Sequence, residues 1–116
     1  MPPTEDILEH HLEAFEAQDL DAVMEDYTDE STVVTTMGTF RGREEIEGLF
    51  EDLFDEFDDP DASITMDEQR VEGEFGYIVW HGETPANEYE FATDTFHIPE
   101  DVIRFQTFAG QITPKE

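Results

Sequence analysis

Two titratable residues have neighbours able to change their chemistry. Asp94 sits in Thr93-Asp94-Thr95-Phe96, where polar and apolar residues alternate as in a strand. A hairpin centred on Ala86 would place Ile78 opposite Asp94 and Trp80 opposite Ala92, all on one face that Phe96 continues. Trp80 is then diagonal to Asp94, at roughly 7–8 Å between backbones. A carboxyl beside an indole and aliphatic side chains is desolvated, which disfavours its charged form and raises its pKa. Such a group can donate a proton or hydrogen-bond a carbonyl oxygen. The other arrangements open to it are a carboxylate bonded to a neighbouring hydroxyl such as Thr35, or one turned to solvent by a one-residue slip. His11 lies one turn from Leu8 and Phe15 on an apolar helical stripe. It suits a general acid/base, a polar hook for a ligand, or a histidine satisfied within a core. His10 diverges from it by about 100° and should face solvent, so the pair cannot chelate one metal and no metal site is read.

The elements that must hold these groups follow from spacing. A first helix is expected from Thr4 as N-cap, after Pro2 and Pro3, with Ile7, Leu8, Leu12 and Phe15 inward. Asp19 caps a second helix from Leu20 to about Tyr27, with Val23, Met24 and Tyr27 inward. Ser31–Thr36 reads as a strand, Met37-Gly38-Thr39 as a turn, and Phe40 as a resumed extended segment. Gly42 and Arg43 open a third helix through about Phe57, with Ile46, Leu49, Phe50, Leu53 and Phe54 at helical spacing. Strands are expected near 63–71, 76–83, 88–98 and 102–109. This order is α+β: three N-terminal helices packed on a strongly curved antiparallel sheet, cone-shaped, as one domain over residues 1–116. Tyr27, Met37, Phe50, Phe54, Phe105 and Thr107 are expected to line its interior. His81 and His97 fall on the outer face with Tyr77, Val79, Phe91, Thr93 and Thr95. That apolar face wants a cover, and a second copy is the expected one, a homodimer.

Thirty-two acidic residues stand against five basic ones, a formal charge of -27 on 116 residues. Hydrophobic residues still make up 37% of the chain, ten of them Phe, so a core can form. The Debye length is about 30 Å at 0.01 M salt and about 3 Å at 1 M, so these charges are tolerable mainly in strong salt. The composition points to the cytoplasm of a salt-accumulating halophile, and would also suit a DNA mimic or an acidic calcium buffer. Direct nucleic-acid binding needs clustered Lys and Arg, which are absent, and no stretch is apolar enough to span a bilayer. Zero Cys excludes disulfides and thiolate chemistry. Arg41, Arg43, Arg70 and Arg104 are expected to neutralise nearby carboxylates, with Arg43 also open to an anionic ligand.

The segments Asp19-Leu20-Asp21-Ala22, Tyr27-Thr28-Asp29-Glu30-Ser31 and Gly42-Arg43-Glu44-Glu45-Ile46 with Phe50, and the stretch from Phe91 to Gly110, resemble one family. It is the SnoaL-like group of the nuclear-transport-factor-2-like superfamily, which includes polyketide cyclases and ketosteroid isomerase. The resemblance implies the same α+β architecture and a dimer through the outer sheet face. By likeness to ketosteroid isomerase, Asp94 resembles the oxyanion-binding acid, a carboxyl that an apolar site keeps neutral in that family. His11 falls where that family has its oxyanion tyrosine. Thr35 falls where it has the general-base aspartate, and threonine cannot do that work. The expectation is a pocket for a hydrophobic small molecule, walled by Phe15, Phe50, Ile78, Trp80 and Phe96, with Asp94 and His11 as acid/base groups on a carbonyl compound. The alternative is a binding module or dimeric interaction domain of the same fold. Neither reading calls for a cofactor.

Overall fold

Leucine and phenylalanine at helical spacing set the first layer. In the computed structural model, which describes residues 4–115, α1 (Thr4–Glu16) buries Leu8, His11 and Ala14 while Glu5, Glu9 and Glu13 stay exposed. Pro2 and Pro3 lie outside the described residues. Thr4 is not a separate cap: it is the first helical residue, and its hydroxyl donates to the Ile98 carbonyl at 3.5 Å. At its far end α1 closes with Gln18 in the left-handed region, φ 56°. Gln18 N–H bonds Phe15 O and Asp19 N–H bonds Ala14 O, both at 3.0 Å. Asp19 then caps α2 (Leu20–Met24), its Oδ1 accepting from Ala22 N–H at 3.1 Å. This helix stops short of Tyr27, because Asp26 and Tyr27 continue only with i→i−3 bonds.

β1 (Thr32–Thr35) and β2 (Gly38–Arg41) form a hairpin before α3 (Gly42–Phe57), which buries Ile46, Leu49, Phe50 and Phe54. β3 (Ser63–Glu72), β4 (Phe75–Glu83), β5 (Asn87–His97) and β6 (Phe105–Pro114) complete a six-stranded sheet in the order β2-β1-β6-β5-β4-β3. The sheet is not wholly antiparallel: β1 runs parallel to β6, Thr32 opposite Phe105 and Val34 opposite Thr107. The long connection through α3 and four strands permits that direction. β6 also starts and ends later than the 102–109 expected, since Ile103 N–H bonds Asp26 O and Arg104 N–H bonds His97 O in a turn. No helix among the described residues is long and apolar enough to cross a membrane.

Two bulges flank Trp80 and bend the sheet. Asp67 is the extra residue between the pairs Met66–Trp80 and Glu68–Val79; Glu90 is the extra residue between Gly82–Tyr89 and Trp80–Ala92. Both sites need glycine beside them: a Cβ on Gly82 would lie 2.2 Å from Ser63 O, and one on Gly110 2.6 Å from Phe91 O. The helices cover the inner face around Leu8, Val23, Ile46, Phe96 and Ile103, all wholly buried. The outer face leaves Phe75, Tyr77, Phe91 and Phe105 exposed, and Phe75 stacks on His97 at 4.7 Å.

Candidate functional site

The Glu90 bulge decides where Asp94 points. Near the turn, Thr84 N–H bonds Asn87 O and Glu83 pairs with Glu88, half a residue away from a centre at Ala86. One extra residue in β5 restores the offset, so Ile78 faces Asp94 and Trp80 faces Ala92 as the hairpin argument required. Inward parity therefore changes along β5: Tyr89, Ala92, Asp94 and Phe96 are all buried. Without Glu90 the carboxyl would face outward.

Asp94 is buried, with a donor at each oxygen. Trp80 Nε1–H donates to Oδ1 at 3.0 Å, and Gln106 Nε2–H donates to Oδ2 at 2.9 Å. Behind Gln106, the buried Tyr27 hydroxyl donates to Gln106 Oε1. Burial pushes the Asp94 carboxyl up to about 6, and the Trp80 and Gln106 bonds pull against that rise. Thr35 is not its partner: Thr35 Oγ1 accepts from Met37 N–H and Gly38 N–H and donates to Gly38 O, closing the β1–β2 turn.

His11 sits in an aromatic collar. Its ring meets Phe96, Phe50 and Tyr27 edge-on, with centroids at 5.3, 5.7 and 5.8 Å. Burial, helped by neighbouring His10, drives its pKa down to about 4, so the imidazole is neutral at pH 7. Among the described residues, His11 Nδ1 is the one buried side-chain polar atom with no hydrogen-bond partner. His10 does not simply face water. Its Nδ1 bonds both oxygens of buried Asp26, at 2.8 and 3.0 Å, and this raises the His10 pKa. The Asp26 carboxyl is raised as well, by burial.

Both groups line one cavity of about 660 Å³, large enough for a drug-sized molecule. Expected wall residues that do line it are Phe15, Thr35, Met37, Phe50, Ile78, Trp80 and Phe96. Three do not. Tyr27 is buried behind the wall and acts through Gln106; Phe54 packs into the core against Phe15 and Phe50; Phe105 is exposed on the outer face. Thr107 shares that face, because Phe96 pairs with Gln106 and puts even numbers of β6 inside. The reading of the sequence missed Gln106, Phe108 and Tyr89, all of which line the cavity. A glutamine between Phe105 and Phe108 was a usable signal, but its face depended on a register that could not be read.

The cavity is walled mainly by aromatic and aliphatic side chains. Among the described residues its only acids are Asp94 and Glu16, and no Lys or Arg contributes to it. Of the arginines, Arg70 alone pairs with a carboxylate among the described residues, Glu68 at 2.6 Å, while Arg43 donates to the Tyr27 carbonyl at 3.0 Å. No group of three or more metal-ligating side chains is gathered among the described residues. Glu56 on α3 accepts from Thr84, Asn87 and Tyr89 at 2.8, 2.9 and 2.8 Å, and so ties the helix to the hairpin that carries Asp94.

An open curved sheet, helices across its inner face and a buried carboxyl in the hollow define a small α+β pocket protein. The chain belongs to the SnoaL-like domain family, whose model matches residues 8–113. Solved structures share this fold at low identity. A nuclear-transport-factor-2-like protein of unknown function from Mesorhizobium loti superposes with a TM-score of 0.79 at 17% identity, covering 93% of this chain and 90% of that one. A candidate polyketide cyclase from Sinorhizobium meliloti gives 0.75 at 18%, covering 93% and 94%. A candidate ketosteroid isomerase from Kribbella flavida gives 0.76 at 7%, covering 93% and 77%. No curated protein matches the sequence.

Proposed function

We propose that the chain is a single-domain acid/base enzyme of the isomerase or cyclase type, acting without a cofactor on a hydrophobic carbonyl compound in a cone-shaped cavity. One observation carries this reading. Asp94 and His11 share a mainly apolar cavity, and burial moves both from their ordinary protonation ranges. With a pKa of about 6, roughly nine in ten Asp94 side chains are ionised at pH 7, yet the proton is easily regained. The carboxylate can take a proton from the carbon next to a carbonyl. The C–H bond breaks, an O–H bond forms at Asp94, and the electron pair moves onto the carbonyl oxygen. Returning the proton at another carbon isomerises the compound. Neutral His11 can hydrogen-bond the oxygen as its charge builds. A carboxylate or phosphate on the ligand would meet no cation in this wall, so the substrate is uncharged.

Incubation with 4-phenyl-2-butanone in deuterium oxide tests the reading without knowledge of the natural substrate. The protein should speed deuterium entry at the carbons beside the carbonyl, and Asp94→Asn should remove about 10²–10⁴-fold of that acceleration. A second reading, binding without turnover, is favoured by Thr35, which occupies the place of the family's base and spends its hydroxyl on a turn. Quenching of Trp80 fluorescence by the ketone with no deuterium entry would select it.

The same proposal includes a homodimer through the outer sheet face. That face is the apolar island of Phe75, Tyr77, Phe91 and Phe105 on an otherwise acid-rich chain. It also includes a salt-rich cytoplasm as the working environment, supported by the charge of -27.

A further inference from the structure

What Asp94 faces in the wall depends on one amide. Trp80 can only donate through its indole N–H. Gln106 can present either end of its side chain, so the group behind it decides the orientation. That group is Tyr27, 1% exposed, whose hydroxyl donates to Gln106 Oε1 and has no other partner among the described residues. Turning the amide over would bring an N–H to the phenol oxygen and leave the phenol proton buried without an acceptor, at the full desolvation penalty of that group.

We propose that Gln106, oriented by Tyr27, is a positioning residue that fixes Asp94 as a proton acceptor aimed into the cavity. With a donor held at each oxygen, a proton added to Asp94 finds no acceptor in Trp80 or Gln106 and must point away from both, into the cavity. Deepening the acid/base reading above, on which it rests, this makes Asp94 a base first and an acid second. The likeness to ketosteroid isomerase implied the reverse, a neutral acid donating to an oxyanion. Other titratable groups around the cavity are His11 and Glu16 from α1 and Tyr89 from β5, with Tyr27 behind Gln106. The lining residues of α3, β1 and β3 are uncharged.

Trp80 is the only tryptophan, so its indole N–H gives a single NMR signal directly bonded to Asp94. The pH midpoint of that signal should rise by about one to two pH units in Gln106→Leu, because a donor to the charged form is lost. Tyr27→Phe should raise it by a smaller step, since the freed amide can then offer its oxygen to protonated Asp94. A midpoint that falls or stays put in Gln106→Leu would overturn the proposal, because Gln106 would then be accepting from a neutral acid. Should that variant fail to fold, the wild type still decides. The Gln106 side-chain amide protons should titrate with the same midpoint as the indole, and amide signals indifferent to pH would contradict the assignment. Either failure leaves proton exchange itself standing, because deuterium entry into the ketone is read separately.

Discussion

Asp94→Asn and His11→Met should change the pH dependence of stability in opposite parts of the range. Folded Asp94 binds its proton at about 6, against an ordinary 3.8, so the folded state holds that proton more tightly than the unfolded chain. Above pH 6 the buried charge therefore costs about 3 kcal/mol, at 1.36 kcal/mol per pH unit of the gap, and the cost disappears as pH falls toward 3.8. Folded His11 binds its proton only near 4, against an ordinary 6.5. As pH falls from 6.5 to 4 the unfolded chain takes up a proton the fold refuses, and stability drops by about 3 kcal/mol. In the wild type these two trends nearly cancel between pH 7 and pH 4. Relative to wild type, Asp94→Asn should gain up to about 3 kcal/mol at pH 7, a gain that fades by pH 4. His11→Met should show the complementary pattern, its relative gain appearing only toward pH 4. Lost hydrogen bonds and altered packing shift each variant by a constant, so the slope is the test, not the offset. Urea unfolding in molar potassium chloride, followed by Trp80 fluorescence and circular dichroism at half-unit pH steps, measures it. Differences from wild type that stay flat across this range would refute the burial argument for the variant concerned.

Two further outcomes follow from the fold and its charge. Gly82→Ala places a Cβ 2.2 Å from Ser63 O at the bulged side of Trp80, so β3 must shift, and stability should fall by about 1–3 kcal/mol in urea unfolding; an unchanged midpoint would contradict the close packing of β3 on β4. Raising potassium chloride from 0.01 to 1 M should raise the thermal midpoint, since about 3 Å of screening length replaces about 30 Å in a chain with 32 acids against five bases. Equal midpoints in both would contradict a salt-dependent fold.

The three helices and the four later strands were readable because each rests on many residues at once. The Asp94 site was readable through a compensation. The turn lies half a residue from Ala86, and Glu90 bulges by one residue, so the pairing beyond the bulge returns to what an unbulged hairpin would show. Tyr89 lies on the turn side of that bulge, where strict alternation puts it outside, and so was not found as cavity lining. Phe105, expected inside, faces outward while Phe108 lines the cavity, because the face of each follows from the Phe96–Gln106 pair. The parallel partnership of β1 with β6 leaves no local mark in a four-residue strand. Thr35 bonded to Asp94 was a reasonable expectation for a hydroxyl near a strand carboxylate, but the Met37-Gly38 turn claims that hydroxyl first.

The proposed acid/base function depends on a carboxyl whose proton equilibrium is set by an apolar hollow. Titration of the Asp94 carboxyl carbon by ¹³C NMR, in protein labelled at aspartate and assigned with Asp94→Asn, measures that equilibrium directly. A midpoint near 6 is predicted. A midpoint at the ordinary 3.8 would mean the group is solvated, and the acid/base function built on it would not stand.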